Sequence, residues 1–288
     1  MNDYVIVTDS ACDISPARLT EWGVVHRCLS FHFEGEDAEY SNEDMPVKVF
    51  YDRMRTGGVA KTSAVSPDSF RSAFTEILNT GKDVLYLGFS SALSATYQSG
   101  TIAAEELRGK YPARKIITVD TLCASVGEGL IVYLAAEKKR TGASIEETAA
   151  YVEEIKWKIC HWFSVDDLVY LKRGGRISPA TALVGTVLGV KPLLKVDDAG
   201  ALCSVSKVRG RRAALWALVN QYGKDAAEPG DGTVFIGHGD CAEDALAVQE
   251  HLKERYHVSD FIISDVGPVI GAHTGPGIVV VCFVGKGR

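Results

Sequence analysis

VLYLGFSSALSAT, at residues 84–96, decides the fold class of this 288-residue chain. Its first six residues form an apolar run rich in β-formers, which predicts a buried strand. Residues 96–108 then place apolar side chains at helical spacing. A strand followed by a short loop and a helix is the repeating unit of an α/β sheet. Hydroxyl residues fill the loop, and α/β sheets bind ligands at the carboxyl ends of their strands.

The same alternation extends through the first half of the chain. Ser66-Pro67 is typical of a helix start, and Ser144 with Glu147 forms a capping-box pattern. We predict strands at 4–8, 24–33, 84–89 and 115–119, and helices at 47–56, 67–79, 96–108, 127–140 and 144–158.

The pattern changes after residue 160. DDAG at 197–200 lies between two apolar runs and predicts a hairpin, so this half should hold a mixed or antiparallel sheet. We therefore predict an α/β domain with a mainly parallel sheet at 1–160 and an α+β domain at 161–288. The strands are predicted at 161–165, 190–196, 201–206, 233–238, 261–264 and 278–284, and the helices at 180–188, 209–222 and 241–255.

Composition narrows the class of protein. With 46% hydrophobic residues the chain can fill large cores. Its net charge of −6 argues against broad binding to nucleic acid or to anionic membranes, and the sequence holds no apolar run of transmembrane length. The sequence runs directly into a strand without a charged leader, so we expect a cytoplasmic protein. The seven cysteines are scattered and form no Cys-x-x-Cys pair. This arrangement argues against a disulfide framework and against a structural zinc site.

Hydroxyl-rich loops mark the candidate binding site. One holds Thr62 and Ser63 ahead of a helix, a second holds Ser91 and Ser94, and a third spans residues 120–129. Helix N-termini offer free N–H groups and partial positive charge, so these loops suit a carboxylate or phosphate. Any single serine here could instead be only a cap or a turn residue.

VGPVIGAHTGPG at 266–277 sets His273 and Thr274 among glycines and prolines. Such backbone is shaped rather than merely flexible, and we predict a loop that directs both side chains at a ligand. His273 could orient a carboxylate or serve as an acid or base, although a lone histidine is often structural.

The usual catalytic and nucleotide-binding motifs are missing. Residues 88–92 lack the final glycine of Gly-x-Ser-x-Gly, and no phosphate-binding loop, Gly-x-Gly-x-x-Gly or His-Glu-x-x-His occurs. The sequence therefore favours anion binding without a cofactor, a metal or an evident nucleophile.

The segment LKRGGRISP, at 171–179, is a separate feature with three cations and two glycines. Arg173 and Arg176 could contact a phosphoryl group or an acidic partner, and Ser178-Pro179 could start a helix.

In this order the motifs make the chain resemble the DegV family, whose members are fatty-acid-binding proteins and include the lipid-binding subunit of bacterial fatty acid kinase. The match runs nearly from end to end. Its motifs are VTDSACD at 7–13, KTS at 61–63, SSxLSxTYQS at 90–99, ASxGxGL at 124–130, LxRGGRIS at 171–178, KPLL at 191–194 and GPVIGxHTGPG at 267–277.

The resemblance implies a long-chain fatty acid, such as palmitate, held in an apolar tunnel and presented to a partner kinase that forms an acyl phosphate. By matching positions, Thr62 and Ser94 would hold the carboxylate. Arg173 would face the kinase catalytic subunit, and the chain would have no catalytic centre of its own. The residues expected near the carboxylate are Ser63, Ser91, His273 and Thr274.

The sequence departs from the family pattern beside this site. Ala64-Val65 replaces the usual Gln-Pro, and Ala92 and Ala95 replace glycines, so added methyl groups could narrow the site or shift its chain preference. Two other functions stay open. One is an acyl hydrolase or transferase that uses Ser91 or Ser94 with His273 as base, and the other is a lipid-sensing regulator that binds a different protein.

Overall fold

The structure, a computed structural model, describes residues 3–177 and 189–288. Ser178 and the helix predicted at 180–188 lie outside the described residues. The strands are β1 Tyr4–Asp9, β2 Val24–Arg27, β3 Ser30–Phe33, β4 Glu39–Ser41, β5 Ala60–Ser63, β6 Asp83–Gly88, β7 Ile116–Asp120, β8 Ile159–Ser164, β9 Val190–Val196, β10 Leu202–Arg209, β11 Thr233–His238, β12 Asp260–Asp265 and β13 Val279–Val284. The helices are α1 Pro16–Glu21, α2 Val47–Arg55, α3 Pro67–Asn79, α4 Thr96–Lys110, α5 Val126–Arg140, α6 Ile145–Ile155, α7 Val169–Arg173, α8 Arg211–Asp225, α9 Ala242–Tyr256 and α10 Pro268–Thr274.

The first sheet is parallel, with strand order β2-β1-β6-β7. Every residue of β6 is buried, as expected for a central strand covered on both faces. Both helix-start predictions are confirmed: the Ser66 side chain accepts a hydrogen bond from Ser69 N, and Ser144 forms a capping box with Glu147. The carboxyl ends of β6 and β7 lead into two of the three hydroxyl-rich loops, whereas Thr62 and Ser63 of the remaining one lie on β5, outside this sheet.

Residues 24–33 do not form the single strand that the sequence predicts. They divide into β2, in the parallel sheet, and β3, which joins β4 and β5 in a small antiparallel sheet. At the division the backbone N–H of Leu29 donates to the Ser10 hydroxyl, 3.0 Å away, instead of to a neighbouring strand. Apolar residues lie on both sides of this point, so the pattern gave no sign of the break.

The second sheet is mixed, with order β10-β9-β8-β13-β11-β12. Only β11 and β12 run parallel, and β9 and β10 form the antiparallel hairpin predicted at residues 197–200. The predicted fold class, with one parallel and one mixed sheet, is confirmed. The largest cluster of buried residues includes both Val84 of the first sheet and Val280 of the second. The division at residue 160 stays a prediction.

The segment predicted as a loop at 266–277 contains a helix, α10. Pro268 occupies its first turn, where a missing N–H costs nothing, and Gly275 ends it with φ of +77°. Gly271 lies inside the helix, where a Cβ atom would be 2.6 Å from the hydroxyl oxygen of Tyr51. This glycine therefore lets α10 pack closely against Tyr51. The sequence pattern does not distinguish a glycine that permits close packing from one that forms a loop.

Contacts from the first half of the chain hold α10 in place. The backbone N–H of Gly267 donates to Asp13 Oδ1, and that of Val269 donates to Asn42 Oδ1. The hydroxyl of Tyr51 donates to the carbonyl of Val266. Among the helices of residues 3–177 and 189–288, none is long and apolar enough to cross a membrane.

Candidate ligand-binding site

A cavity of about 220 Å³ lies between the parallel sheet, the mixed sheet and α10. This volume far exceeds the roughly 10–15 Å³ that one water needs, so the cavity is not a packing defect. Most of its wall is apolar, as in sites that enclose a hydrocarbon. Its apolar residues include Phe89, Leu93, Phe163, Val196, Leu202 and Val280.

Polar side chains from separate parts of the chain meet on the cavity wall. They come from β5, from the loop before α4, from the segment after α7 and from α10. Five of the residues that the resemblance placed near a carboxylate are among them, and Arg176 joins them. The five are Thr62, Ser63, Ser94, His273 and Thr274.

Thr62 and His273 form the central polar contact of the wall. The Oγ1 atom of Thr62 lies 2.8 Å from Nε2 of His273, although the residues are 211 positions apart. Thr62 is on β5, and His273 is on α10, which packs against that strand. The strand and the helix thus bring a hydroxyl and an imidazole together at the cavity.

The imidazole of His273 is neutral at physiological pH. Burial, and secondarily the positive charge of Arg176, lowers its pKa to about 4. Its Nδ1 atom is buried and has no hydrogen-bond partner. A buried N–H without an acceptor is costly, so the proton belongs on Nε2, which then donates to Thr62. The hydroxyl hydrogen of Thr62 stays available for a ligand.

Arg176, predicted as a contact for a phosphoryl group or an acidic partner, belongs to the cavity wall, and its contact with a partner stays a prediction. It lines the cavity, and its guanidinium donates from Nε to the Leu93 carbonyl at 3.1 Å and from Nη1 to the Gly174 carbonyl. Burial lowers the pKa of Arg176, but arginine remains protonated in proteins. Arg176 therefore gives the cavity a fixed positive charge near the His273 imidazole.

The other predicted hydroxyl residues differ in their hydrogen bonds to the protein and in their exposure. The Ser94 hydroxyl oxygen lies 2.9 Å from Thr96 Oγ1 and accepts from the Thr96 N–H, while Thr274 donates to the Ile270 carbonyl within α10. Ser63 is exposed although it lines the cavity, so it lies where the cavity meets solvent.

Ser91 and Arg173 are not among the residues that line the cavity. Ser91 is exposed, because its backbone N–H donates to Asp120 Oδ1 and holds the loop with this side chain outward. Arg173 is exposed at the end of α7, with its guanidinium 5.8 Å from the centre of the Tyr170 ring. The structure thus separates Ser91 from the hydroxyls with which it was grouped.

Two further polar residues of the wall, Ser125 and His161, were not singled out from the sequence. Ser125 donates to Asp13 Oδ2 and lies in the third hydroxyl-rich loop, so its loop was predicted but not its role. His161 is buried in β8, and burial lowers its pKa to about 3. A histidine within an apolar strand was the only available signal for it.

Comparison with known proteins identifies the family. The protein-family model described as "Uncharacterised protein, DegV family" matches residues 3–286 of this chain. The chain belongs to the DegV family. Among its relatives, a DegV domain-containing protein of Clostridium perfringens is 43% identical over 286 residues, covering 99% of this chain and 98% of the relative.

Solved DegV structures share the fold. A Thermus thermophilus DegV family protein, described as binding fatty acid, is 30% identical with a TM-score of 0.88, covering 99% of this chain and 100% of its own. The Streptococcus pneumoniae fatty acid kinase B3 protein, loaded with linoleic acid, has a TM-score of 0.87 at 19% identity over 99% of this chain and 100% of its own. At that identity the second likeness concerns the fold alone.

Proposed function

We propose that this DegV protein binds a long-chain fatty acid, such as palmitate, in the cavity and presents its carboxylate to a partner kinase for conversion to an acyl phosphate. One observation carries the proposal. The hydrogen-bonded pair of Thr62 and His273 lies with Arg176 on the wall of an otherwise apolar cavity. An amphipathic ligand with one anionic end matches that distribution of charge.

The energetics fit a carboxylate with a long tail. Burial of an acyl chain contributes about 0.8 kcal/mol per CH₂, so the apolar wall supplies most of the affinity. Arg176 compensates the carboxylate charge, which would otherwise be costly to bury. The hydroxyls of Thr62 and Ser94 fix its orientation, with Ser63, His273 and Thr274 beside them.

Delivery to a kinase is the second half of the proposal. The kinase catalytic subunit would supply the nucleotide and metal, while this chain would supply only the bound substrate. Arg173 is exposed on the short helix that precedes Arg176, and α7 packs against α10. Its guanidinium is therefore available to an acidic or phosphorylated surface. A kinase that uses a cellular nucleotide implies a cytoplasmic setting.

The geometry lends less support to a hydrolase or transferase. Such an enzyme would pair His273 with Ser91 or Ser94, with an acid on the far side of the imidazole. Here His273 bonds to Thr62, Ser94 bonds to Thr96, and Nδ1 of His273 is buried without a partner.

Native mass spectrometry of the purified protein tests binding, followed by denaturation and extraction of any small molecule released. We expect one fatty acid per chain, and the Thr62→Ala/Ser94→Ala double variant should bind it more weakly. A wild-type protein that carries no fatty acid and takes up none when palmitate is added would refute the proposal. Hydrolysis of an acyl ester by the chain alone would favour the enzyme instead.

A further inference from the structure

A second cluster of chemically active side chains lies outside the cavity. It consists of His26, Cys28 and Glu43, each offering one ligand atom, and these atoms all lie within 4.8 Å of one another. Within residues 3–177 and 189–288 it is the one group of three or more His, Cys, Asp or Glu side chains with that spacing. None of the three lines the cavity.

The local backbone explains why the three side chains converge. His26 is on β2 and Cys28 follows two residues later, so in extended chain both side chains project to the same side. Glu43 comes from the turn after β4, where its carboxylate Oε1 lies 2.7 Å from His26 Nε2. The Cys28 Sγ atom lies within 4.8 Å of a ligand atom of each of the other two residues.

The turn that carries Glu43 is itself held by hydrogen bonds. The backbone N–H of Ser41 donates to Asp44 Oδ2 at 2.6 Å, and that of Asn42 donates to the Leu29 carbonyl at 2.9 Å. The second bond ties the turn to the residue next to Cys28. The turn that presents Glu43 is therefore tied to the segment that carries Cys28.

We propose that His26, Cys28 and Glu43 form a binding site for a divalent transition-metal ion, with Zn²⁺ as the best match. An imidazole nitrogen, a thiolate sulfur and a carboxylate oxygen together suit Zn²⁺, which accepts all three donor types. Mg²⁺ and Ca²⁺ require oxygen ligands, so the sulfur and nitrogen donors disfavour them. Three protein ligands leave the fourth tetrahedral position for water or a further ligand.

The local charge is consistent with a cation. Burial, together with the negative charges of Glu43 and Asp44, raises the pKa of the Cys28 thiol, so the thiol is protonated before a metal binds. The guanidinium of Arg27, the nearby positive charge, donates to the His26 carbonyl and lies 3.6 Å from Glu76. Metal binding requires the Cys28 thiolate and an unprotonated His26 ring nitrogen. The thiol proton leaves to solvent as the metal–sulfur bond forms, and the proton that His26 Nε2 donates to Glu43 moves to Nδ1 if Nε2 binds the ion. His26 and Cys28 are only half-buried and Glu43 is exposed, which leaves a path for the ion.

Titration of the full chain with Co²⁺ and then Zn²⁺, after removal of bound metal and in buffer without thiols, tests the site. We expect a 1:1 cobalt complex with a thiolate-to-cobalt charge-transfer band, which Zn²⁺ abolishes by displacement. Cys28→Ser should remove the band. His26→Gln and Glu43→Gln should each weaken metal binding by at least about tenfold, since even outer-shell changes cost that much.

Cys203→Ser is the matched control, because Cys203 is another half-buried cysteine outside the cluster. It should leave the cobalt band and the affinity unchanged. The proposal is overturned by the absence of a stoichiometric complex, by a band that persists in Cys28→Ser, or by its loss in Cys203→Ser. Thermal unfolding of each metal-free variant shows whether it has folded. If Cys28→Ser does not fold, Glu43→Gln provides the test, because glutamine preserves the shape of the side chain. An unchanged metal affinity of Glu43→Gln would then overturn the proposal.

Discussion

Gly174 lies against the imidazole of His273, so closely that a Cβ atom on the glycine would be 2.1 Å from Nδ1. The backbone of Gly174 thus closes off the side of the ring that faces away from Thr62. The same residue provides the carbonyl that accepts from Arg176. One glycine therefore positions both the imidazole and the cation of the proposed fatty-acid site.

Gly174→Ala should impair fatty-acid binding without removing any group that contacts the ligand. The added methyl displaces His273 and breaks its bond to Thr62, so we expect roughly tenfold weaker binding. Displacement of a fluorescent fatty acid measures this. Gly109→Ala in α4 is the control, because a Cβ atom there would meet nothing within 4 Å. Equal affinities of the two variants would contradict the positioning role.

Thr62→Val keeps the shape of the side chain but removes its hydroxyl. A hydrogen bond to a charged group contributes about 1.5–3 kcal/mol, so palmitate affinity should fall about ten- to a hundredfold. Isothermal titration calorimetry measures the change. Thr101→Val should have no effect, because Thr101 lies on α4 away from the cavity and its hydroxyl donates to the Tyr97 carbonyl. A Thr62→Val protein with wild-type affinity would remove Thr62 from the carboxylate site.

Arg176→Gln should discriminate between a fatty acid and the fatty alcohol of equal length. The arginine compensates a carboxylate charge, so its loss should weaken binding of the acid about ten- to a hundredfold and binding of the alcohol much less. Competition binding with both ligands measures the difference, and Arg176→Lys, which retains a charge, should recover part of it. If acid and alcohol weaken equally, Arg176 supports the wall structurally and does not compensate charge.

Arg173→Ala should spare fatty-acid binding but slow acyl-phosphate formation by a fatty acid kinase catalytic subunit. Arg173 is exposed and lies outside the cavity wall, so its removal leaves the ligand contacts intact. A coupled kinase assay and a binding assay on the same preparation separate the two steps. Lys172→Ala, an exposed neighbour on α7, is the control. Normal kinase turnover with Arg173→Ala would contradict the docking role.

Asp13 should make stability fall as pH rises from about 6.5 to about 8. Burial raises the pKa of this carboxyl from 3.8 to about 8, so the folded state holds a proton that the unfolded state releases. Its stabilising effect is complete below pH 3.8 and is lost as pH rises through about 8, at up to about 1.4 kcal/mol per pH unit. His161 and His273, with lowered pKa values, oppose this trend only below their ordinary value of 6.5.

Urea unfolding of Asp13→Asn at several pH values in that window checks the assignment. The amide can preserve the bonds to Ser125 and Gly267, so the fold should persist while the pH dependence flattens. Glu128, whose pKa burial also raises, should leave a residual slope of the same sign. The exposed Asp37→Asn should retain the wild-type slope, and an unchanged slope in Asp13→Asn would show that another group binds the proton.

Local patterns predicted most of the elements correctly. The strands at 190–196 and 233–238 and the helix at 67–79 have the predicted bounds, because their periodicity and capping residues are encoded within a few positions. The strand at 24–33 and the loop at 266–277 were wrong. In both, the outcome depends on contacts with distant residues, such as Ser10 for Leu29 and Tyr51 for Gly271.

The candidate site shows the same limit. Thr62, Ser94 and His273 could be named from motifs, and the structure brings them to one cavity. Ser91 belongs to the same motif as Ser94 but faces solvent, because the turn after β6 decides which side chain points inward. Arg176, three residues from Arg173, turns into the cavity wall while Arg173 stays outside.

The sequence by itself determined the family, most of the strands and helices, and the hydroxyl-rich loops, because these depend on short-range patterns. Only the tertiary structure decided which side chains meet. It joins Thr62 to His273 across 211 residues, and Glu43 to His26 across 17. It also set the charge of His273, because burial lowers its pKa to about 4, and burial is a property of the packed molecule that no local pattern specifies.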